Sequence, residues 1–272
     1  MKTALIQFTA GDDADANLKV LRGMIREAAD AGATFVLTPE VSNVLSSSRR
    51  HQERILQDEA DDPFLRSMQD EAAALGIWLL LGSLALKSGD ADGRFANRSF
   101  LITPTGEITA RYDKIHMFDV EIDENESYRE SAAYRPGDKA VVAETPFGKI
   151  GLTICYDMRF PHLYRALAKD GATIITVPAA FSPVTGKAHW ESLLRARAIE
   201  NGVFILAPAQ CGQNGPKRAT HGHSLVVSPW GKVLADGGDA PGITMVDLDL
   251  ADVEQSRKRV PSLGHDREFE GP

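Results

Sequence analysis

Apolar residues along this chain fall into short, nearly unbroken runs, separated by stretches in which they recur at helical spacing. "TALIQF" near the start is a β-rich run of the first kind. In the segment that follows, Leu18, Leu21, Ile25 and Ala28 recur every three to four residues, the interval of one helix face. Asp15 is the expected N-cap of that helix and Gly32 its C-cap. "TFVLTPE" predicts a second strand that ends at Glu40. Asp62-Pro63 opens a helix that runs to about Leu75, because an aspartate cap followed by proline suits a first turn. "IWLLLGSLAL" predicts a third strand.

Two segments carry hairpin patterns: "RSFLITPTGEITARYDKIH", turning at Thr105-Gly106, and "VVAETPFGKIGLTICYD", turning near Phe147-Gly148. A helix over about 160–170, the strand "ATIITVPAA" and a helix over "HWESLLRARAIENG" come next. The last third is rich in strands ("VFILAPAQ", "HSLVVSPWGKVLA", "GITMVDLDL") and closes with a short helix near 250–258. Strand–helix alternation mixed with hairpins predicts an α/β fold with mixed sheets. The strands are too many for one open sheet. Two sheets packed face to face, with helices outside, would bury them on both sides. No low-complexity linker or repeat interrupts the chain, so residues 1–272 are expected to form a single domain. Residues 116–138 form a long acidic loop, and long loops in compact domains are often functional.

Composition narrows the function. At 43% hydrophobic, the 272 residues can bury a full core. A net charge of −8 disfavours nucleic acid and anionic membrane as partners. Two cysteines make no disulfide framework and suit a reducing compartment. The opening apolar run is too short for a signal peptide and no stretch reaches the length of a membrane span, so a cytoplasmic location is expected. No G-x-G-x-x-G follows the first strand and no Walker A motif is present, so no nucleotide cofactor is expected. Cys155 and Arg159 have the spacing of a phosphatase loop. The Tyr, Asp and Met between them, however, are too bulky for an amide cradle. His221 and His223 would share one face of a strand, but no third ligand is evident nearby, so a structural pair and no metal is expected.

Candidate chemistry lies at strand ends. Glu40, Lys114 and Cys155 each follow an apolar strand, and Cys155 sits where a strand turns into a helix. If those strands run side by side in one sense, their ends converge on a rim of the kind where α/β proteins bind ligands. Singly, each residue has an ordinary role. Glu40 would be a charge at a helix start, Lys114 a solvated hairpin end, and Cys155 a small buried hydrophobe. The combination is what stands out.

"LTPE", "RYDKIHMFDVEI", "ESAAYRPGD" and "GKIGLTICYDMRFPHLYRALAKDGA", continuing through "PAAFSPVTGKAHWESLLRARAIENGVFILAPAQCG" and "GHSLVVSPWG", span nearly the whole chain. In these motifs and their order it resembles the nitrilase superfamily of carbon–nitrogen hydrolases, whose signature is a Glu-Lys-Cys triad. "FDVEI", "CYDMRFP", "TGKAHW", "AQCG" with "KRATHGHS", and "VVSPWG" are similar to the Nit branch of deaminated glutathione amidases and ω-amidases. The resemblance implies a four-layer αββα sandwich of two mixed β-sheets with outer helices, paired as a homodimer or higher homo-oligomer. It also implies a second glutamate before the cysteine strand, a place that Glu130 occupies. Tyr156-Asp157 stands where true nitrilases usually have Trp-Glu, which favours amides over nitriles. "LTPEVSN" departs from the usual surroundings of the glutamate, and the tail ends early at "EFEGP".

The residue types suit amide hydrolysis. A thiolate can attack an amide, but a free cysteine is mostly protonated at neutral pH, and Glu40 as general base would take its proton. A thiolate about 4 Å from a carboxylate is opposed by roughly 4 kcal/mol at an effective dielectric near 20, about three pKa units. Lys114 would offset this. It would then share the oxyanion with the backbone N–H of Tyr156, while Glu130 would position water. No cofactor is required. The Nit branch implies a small-molecule amide of a dicarboxylic, often 2-oxo, acid as substrate. Deaminated glutathione is the first expectation, 2-oxoglutaramate or succinamate the second, and a non-catalytic binding protein the third. Arg159 is either the cation for a substrate carboxylate or a brace through Asp157. Phe181, Thr185 and His189 flank the "AFSPVTGKAHW" turn and are expected to line the pocket. Arg195 and Arg197 are expected to be interface or brace residues. Cys211 has no base–lysine pair around it in sequence and is expected to stand outside the chemistry.

Overall fold

The apolar runs become strands and the periodic segments helices in the computed structural model, which describes residues 1–122, 124, 126–216 and 218–271. The first half contains β1 (Lys2–Gln7), α1 (Ala14–Asp30), β2 (Phe35–Leu37), α2 (Arg49–Ile55), α3 (Pro63–Leu75), β3 (Trp78–Lys87), β4 (Phe95–Ile102) and β5 (Ile108–Asp113). β6 (Asp119–Glu121), β7 (Ser127–Arg129), β8 (Val141–Thr145), β9 (Gly148–Leu152), α4 (Pro161–Lys169), β10 (Ile174–Thr176) and α5 (Pro183–Asn201) follow. The chain then forms β11 (Phe204–Ala207), β12 (Cys211–Gly215), β13 (Arg218–His221), β14 (Leu225–Val227), β15 (Val233–Asp236), β16 (Gly242–Asp247) and α6 (Ala251–Arg259).

Two six-stranded mixed sheets result, ordered β16-β1-β2-β3-β4-β5 and β15-β14-β11-β10-β9-β8. The period of two along each strand assigns the layers. In the first sheet Leu5, Leu37 and Leu80 turn inward onto a core shared with the second sheet. Ala4, Ile6, Val36, Leu79 and Leu81 turn the other way, onto Leu21 and Ile25 of α1 and Met68 and Ala72 of α3. The second sheet packs against Tyr164 and Leu167 of α4 and Trp190 and Leu194 of α5. The order of layers is therefore helix, sheet, sheet, helix.

Local signals account for most of the boundaries. Asp62 caps α3 by accepting from Leu65 N at 2.7 Å, with Pro63 in the first turn, and Gly76 ends the helix at φ 64°. α1 departs from expectation. Its cap is Asp13, which accepts from the N–H groups of Asp15 and Ala16 at 3.0 and 3.1 Å. Asp15 sits instead in the first turn, where a negative charge suits the helix dipole. α5 begins at Pro183, earlier than its apolar pattern suggests, so Thr185 and His189 lie on a helix and not in a turn.

Five elements carry no apolar pattern. α2 buries only Gln52. β6 pairs with β7 inside the acidic loop, of which Asp123 and Asn125 lie outside the described residues. β12 and β13 pair through a glycine-rich, polar sequence that otherwise reads as a turn.

One expectation needs correcting. The strands before Glu40, Lys114 and Cys155 do not lie side by side in one sheet. β2 and β5 run in the same sense but are separated by β3 and β4. β9 belongs to the opposite sheet. The three strand ends meet across the space between the sheets.

Candidate active site

Beyond β2 the chain turns sharply and sends Glu40 inward. Ser42 N–H donates to Ser83 O at 2.8 Å and Ser42 Oγ to Pro39 O at 2.6 Å. Val41 is held at φ 47°, an unusual conformation for a β-branched residue. The Glu40 carboxylate is then fully engaged. Oε1 accepts from Lys114 Nζ and Asn97 Nδ2, each at 2.9 Å, and Oε2 accepts from Ala180 N–H at 2.8 Å.

Lys114 follows β5 directly. Its N–H donates to Asn97 O at 2.9 Å and its carbonyl accepts from Gly137 N–H at 2.7 Å. A side chain at Gly137 would collide with the Asp113 backbone, so this approach requires glycine. The ammonium also reaches both Glu130 oxygens at 2.9 Å. Glu130 starts a single 3-10 turn after β7, and its Oε2 accepts from Phe118 N–H at 2.6 Å. Two carboxylates from different loops thus share one ammonium, whose side chain is 2% exposed.

Cys155 opens a short 3-10 turn three residues past β9. Its N–H donates to Pro178 O at 2.9 Å and its φ is 48°, in the left-handed region that non-glycine residues rarely adopt. The thiol faces the Glu40 carboxylate, the Lys114 ammonium and the Ala180 N–H, whose charges and dipole act on it. Asp157, wholly buried two residues on, holds the turn. It accepts from Ile154 N–H at 2.9 Å, Tyr112 Oη at 2.6 Å and His116 N–H at 3.0 Å, and stands 2.7 Å from His116 Nδ1. Arg197 Nε adds a bond to Met158 O at 2.8 Å.

The electrostatics follow from one cation serving two acids. Burial opposes ionisation of Glu40, but the Lys114 ammonium and the bonds from Lys114, Cys155 and Asn97 outweigh it and hold the carboxyl below its ordinary range. Burial likewise opposes the charge on Lys114, yet Glu130 and Glu40 keep its pKa well above the usual value. Burial and the Glu40 charge push the Cys155 thiol well up, and Lys114 recovers only part of that. The resting site is therefore a neutral thiol beside an ionised glutamate, not a preformed thiolate.

The other expected residues divide. The Tyr156 N–H has no acceptor among the described residues. Arg159 does not brace the turn through Asp157, whose oxygens are taken by Tyr112, His116 and Ile154. Its guanidinium lies 5.4 Å from the Phe181 ring and 5.8 Å from the Tyr156 ring, and 3.3 Å from His189 Nδ1. Thr185 Oγ1 is buried without a hydrogen-bond partner among the described residues. Arg195 is bound to Gly231 O and Glu191, so it and Arg197 are braces. Cys211 is buried beside Thr9. The His221 and His223 rings stack at 4.6 Å, and His223 pairs with Asp236 at 3.0 Å.

Sequence reasoning missed Asn97 and Ser83, and it named Asp157 as a brace only through Arg159, not through Tyr112 and His116. Asn97 bonds Glu40 and accepts from Ser83 Oγ. A signal existed for the first two, which are polar residues inside the apolar strands "FANRSFLI" and "WLLLGSLALK". A buried polar residue in such a run needs a polar partner.

Residues 2–258 match the family model described as carbon-nitrogen hydrolase. The chain is 41% identical over 265 residues to the deaminated glutathione amidase of Yersinia enterocolitica, covering 97% of this chain and 92% of that protein. In structure it is similar to the Caenorhabditis elegans NitFhit protein, with a TM-score of 0.91 at 35% identity, over 98% of this chain and 65% of that one. It is also similar to a Saccharomyces cerevisiae member of branch 10 of the nitrilase superfamily, with a TM-score of 0.88 at 29% identity, over 99% and 97% of the two chains.

Proposed function

The chain belongs to the carbon–nitrogen hydrolase family, and from that premise we propose a cysteine amidase that cleaves deaminated glutathione to 2-oxoglutarate and Cys-Gly. The observation that carries this reading is the Lys114 ammonium, 2.9 Å from both Glu40 and Glu130, with the buried Cys155 thiol facing the same carboxylate. The name of the Yersinia relative supports the substrate.

Cys155 attacks the amide carbon as its proton passes to Glu40. Proton transfer accompanies attack because a standing thiolate would be a third anion around one cation. The carbonyl oxygen gains the negative charge, which the Lys114 ammonium and the Tyr156 N–H receive. Glu40 returns the proton to the departing amine, leaving a thioester on Cys155. Glu40 then deprotonates a water, positioned by Glu130, that attacks the thioester carbon. The acid leaves and the thiol is restored. Arg159 binds the carboxylate next to the 2-oxo group, in a wall made with Phe181, Thr185 and His189. Its lack of a carboxylate partner among the described residues supports that role.

The reading includes a single catalytic domain over 1–272, supported by the family match over 2–258. It also includes a homodimer, supported by the exposed Val184 and Ile199 on α5 and tested by light scattering in solution. No helix among the described residues is long and apolar enough to cross a membrane. The substrate is tested by incubating the protein with deaminated glutathione, 2-oxoglutaramate and succinamate side by side, against a Cys155→Ala control. Release of Cys-Gly as the fastest reaction supports the proposal, and much faster cleavage of 2-oxoglutaramate overturns it.

A further inference from the structure

The β12–β13 hairpin is tied to the site at both ends. Gln210, just before β12, donates to the Glu40 carbonyl at 3.0 Å, and His221 N–H, at the end of β13, donates to the Phe181 carbonyl at 2.9 Å. Side chains alternate along a strand, so Arg218 shares a face with Thr220. Thr220 is buried, with its hydroxyl 2.7 Å from Asn214 Oδ1. Arg218 is half-buried on that face, within electrostatic reach of the Tyr128 hydroxyl, which donates to Glu126 at 2.9 Å, and of the Tyr134 hydroxyl, which accepts from Gln52 at 2.7 Å.

Those tyrosines bracket Glu130. Tyr134 N–H donates to the Glu130 carbonyl at 2.9 Å. The Tyr128 ring lies 5.0 Å from that of Phe118, whose N–H holds Glu130 Oε2. Phe118 in turn lies 5.1 Å from Tyr156, the residue after the nucleophile. An aromatic strip thus runs past the cysteine, with Arg159 over its Tyr156 end and Arg218 toward its Tyr128 end.

Arg218 differs from the other half-buried arginines in what it binds. Arg22, Arg49, Arg94, Arg98, Arg135 and Arg165 pair with carboxylates. Arg257 donates to carbonyls and Arg159 to a histidine. Among the described residues none accepts a hydrogen bond from Arg218 or forms an ion pair with it, in a chain with 38 acidic residues. A guanidinium presents a planar fork of donors suited to a carboxylate, and a partly desolvated one left unpaired is costly.

We propose that Arg218 binds the terminal carboxylate of a peptide leaving group, so that the pocket takes a substrate with a carboxylate at each end. This rests on the peptide-amide reading given above and adds to it the group that selects a peptide amide over a primary amide. 2-Oxoglutaramate carries one carboxylate and needs only Arg159. Deaminated glutathione carries a second one on its glycine.

The test compares wild type, Arg218→Gln and Arg218→Lys on three substrates: deaminated glutathione, its C-terminal glycinamide and 2-oxoglutaramate. Wild type is expected to prefer the free acid to the glycinamide. Arg218→Gln is expected to lose about 10- to 100-fold in kcat/KM on the acid, mostly through KM, since one charge-assisted hydrogen-bonded contact is removed. Its rates on the other two substrates should stay within about twofold of wild type, and Arg218→Lys should recover part of the loss. Equal losses on all three substrates, or an acid preference that survives in Arg218→Gln, overturn the inference. Wild-type cleavage of 2-oxoglutaramate with no cleavage of either peptide amide overturns the substrate reading itself, and that result is visible before Arg218 is changed.

Discussion

The Asp157 carboxylate lies 2.7 Å from Nδ1 of His116, and so ties the turn that carries the cysteine to the segment that carries the lysine. Asp157 is two residues past Cys155 and His116 two past Lys114, so a single buried acid sets the spacing of thiol and ammonium. Asp157→Asn keeps the shape but offers one oxygen where two accept four contacts. It is expected to lower kcat about 100-fold through misplacement of the thiol and to destabilise the fold by about 3 kcal/mol. Tyr112→Phe removes one of those contacts and should cost about 1 kcal/mol. Thermal melts and steady-state kinetics on both variants check this. Unchanged kinetics in Asp157→Asn would refute the bracing role.

Because the resting thiol is neutral, its alkylation depends on Glu40. Iodoacetamide is expected to label Cys155 much faster than Cys211. Glu40→Gln should slow that labelling about 100-fold, although it removes a repelling charge. Were the resting species a thiolate, the same substitution would speed labelling. Mass spectrometry of the two cysteine peptides over time separates these outcomes.

The pH profile follows from the same charges. Glu40 titrates below its ordinary 4.5, while Cys155 and Lys114 are pushed above their ordinary 9.0 and 10.5. The profile of kcat/KM should therefore be flat from about pH 5 to 9, with its acid limb below 4.5. The lowered carboxyl also contributes stability that is present above its unfolded pKa and is lost as pH falls through the folded one. Glu40→Gln should flatten the acid side of the stability curve. An activity limb centred near neutrality would contradict this assignment.

Removing the shared cation should be worse than removing either acid. Lys114→Met leaves the buried Glu40 and the half-buried Glu130 together without a counter-charge, an arrangement expected to destabilise by about 3 kcal/mol and to abolish turnover. Glu130→Gln keeps the Lys114–Glu40 pair and should lose less in both respects. Denaturant melts of the two variants at neutral pH give the ranking, and equal stabilities would argue against the shared-cation geometry.

Much of this protein was legible along the chain. The period-two and period-three-to-four apolar patterns specify most strands and helices, because burial of one face depends only on local spacing. Asp62-Pro63 and Gly76 mark the ends of α3 through capping chemistry that lies within a few residues. Glu40, Lys114 and Cys155 were identifiable as a set from their positions after strands and from the motifs around them.

What tertiary structure alone decided is where those strand ends meet. No local pattern states that β9 lies in a different sheet from β2 and β5, or that Glu40 and Glu130 share one ammonium. Asn97 and Ala180 were invisible as site residues, and the partners of Asp157 were not foreseen, because each acts on groups 41 to 140 residues away in the chain. Hydrophobic spacing is a one-dimensional signal, and it says which face is buried. Which polar group waits on the far side of that buried face is settled only when two sheets pack and every desolvated donor and acceptor must find a partner.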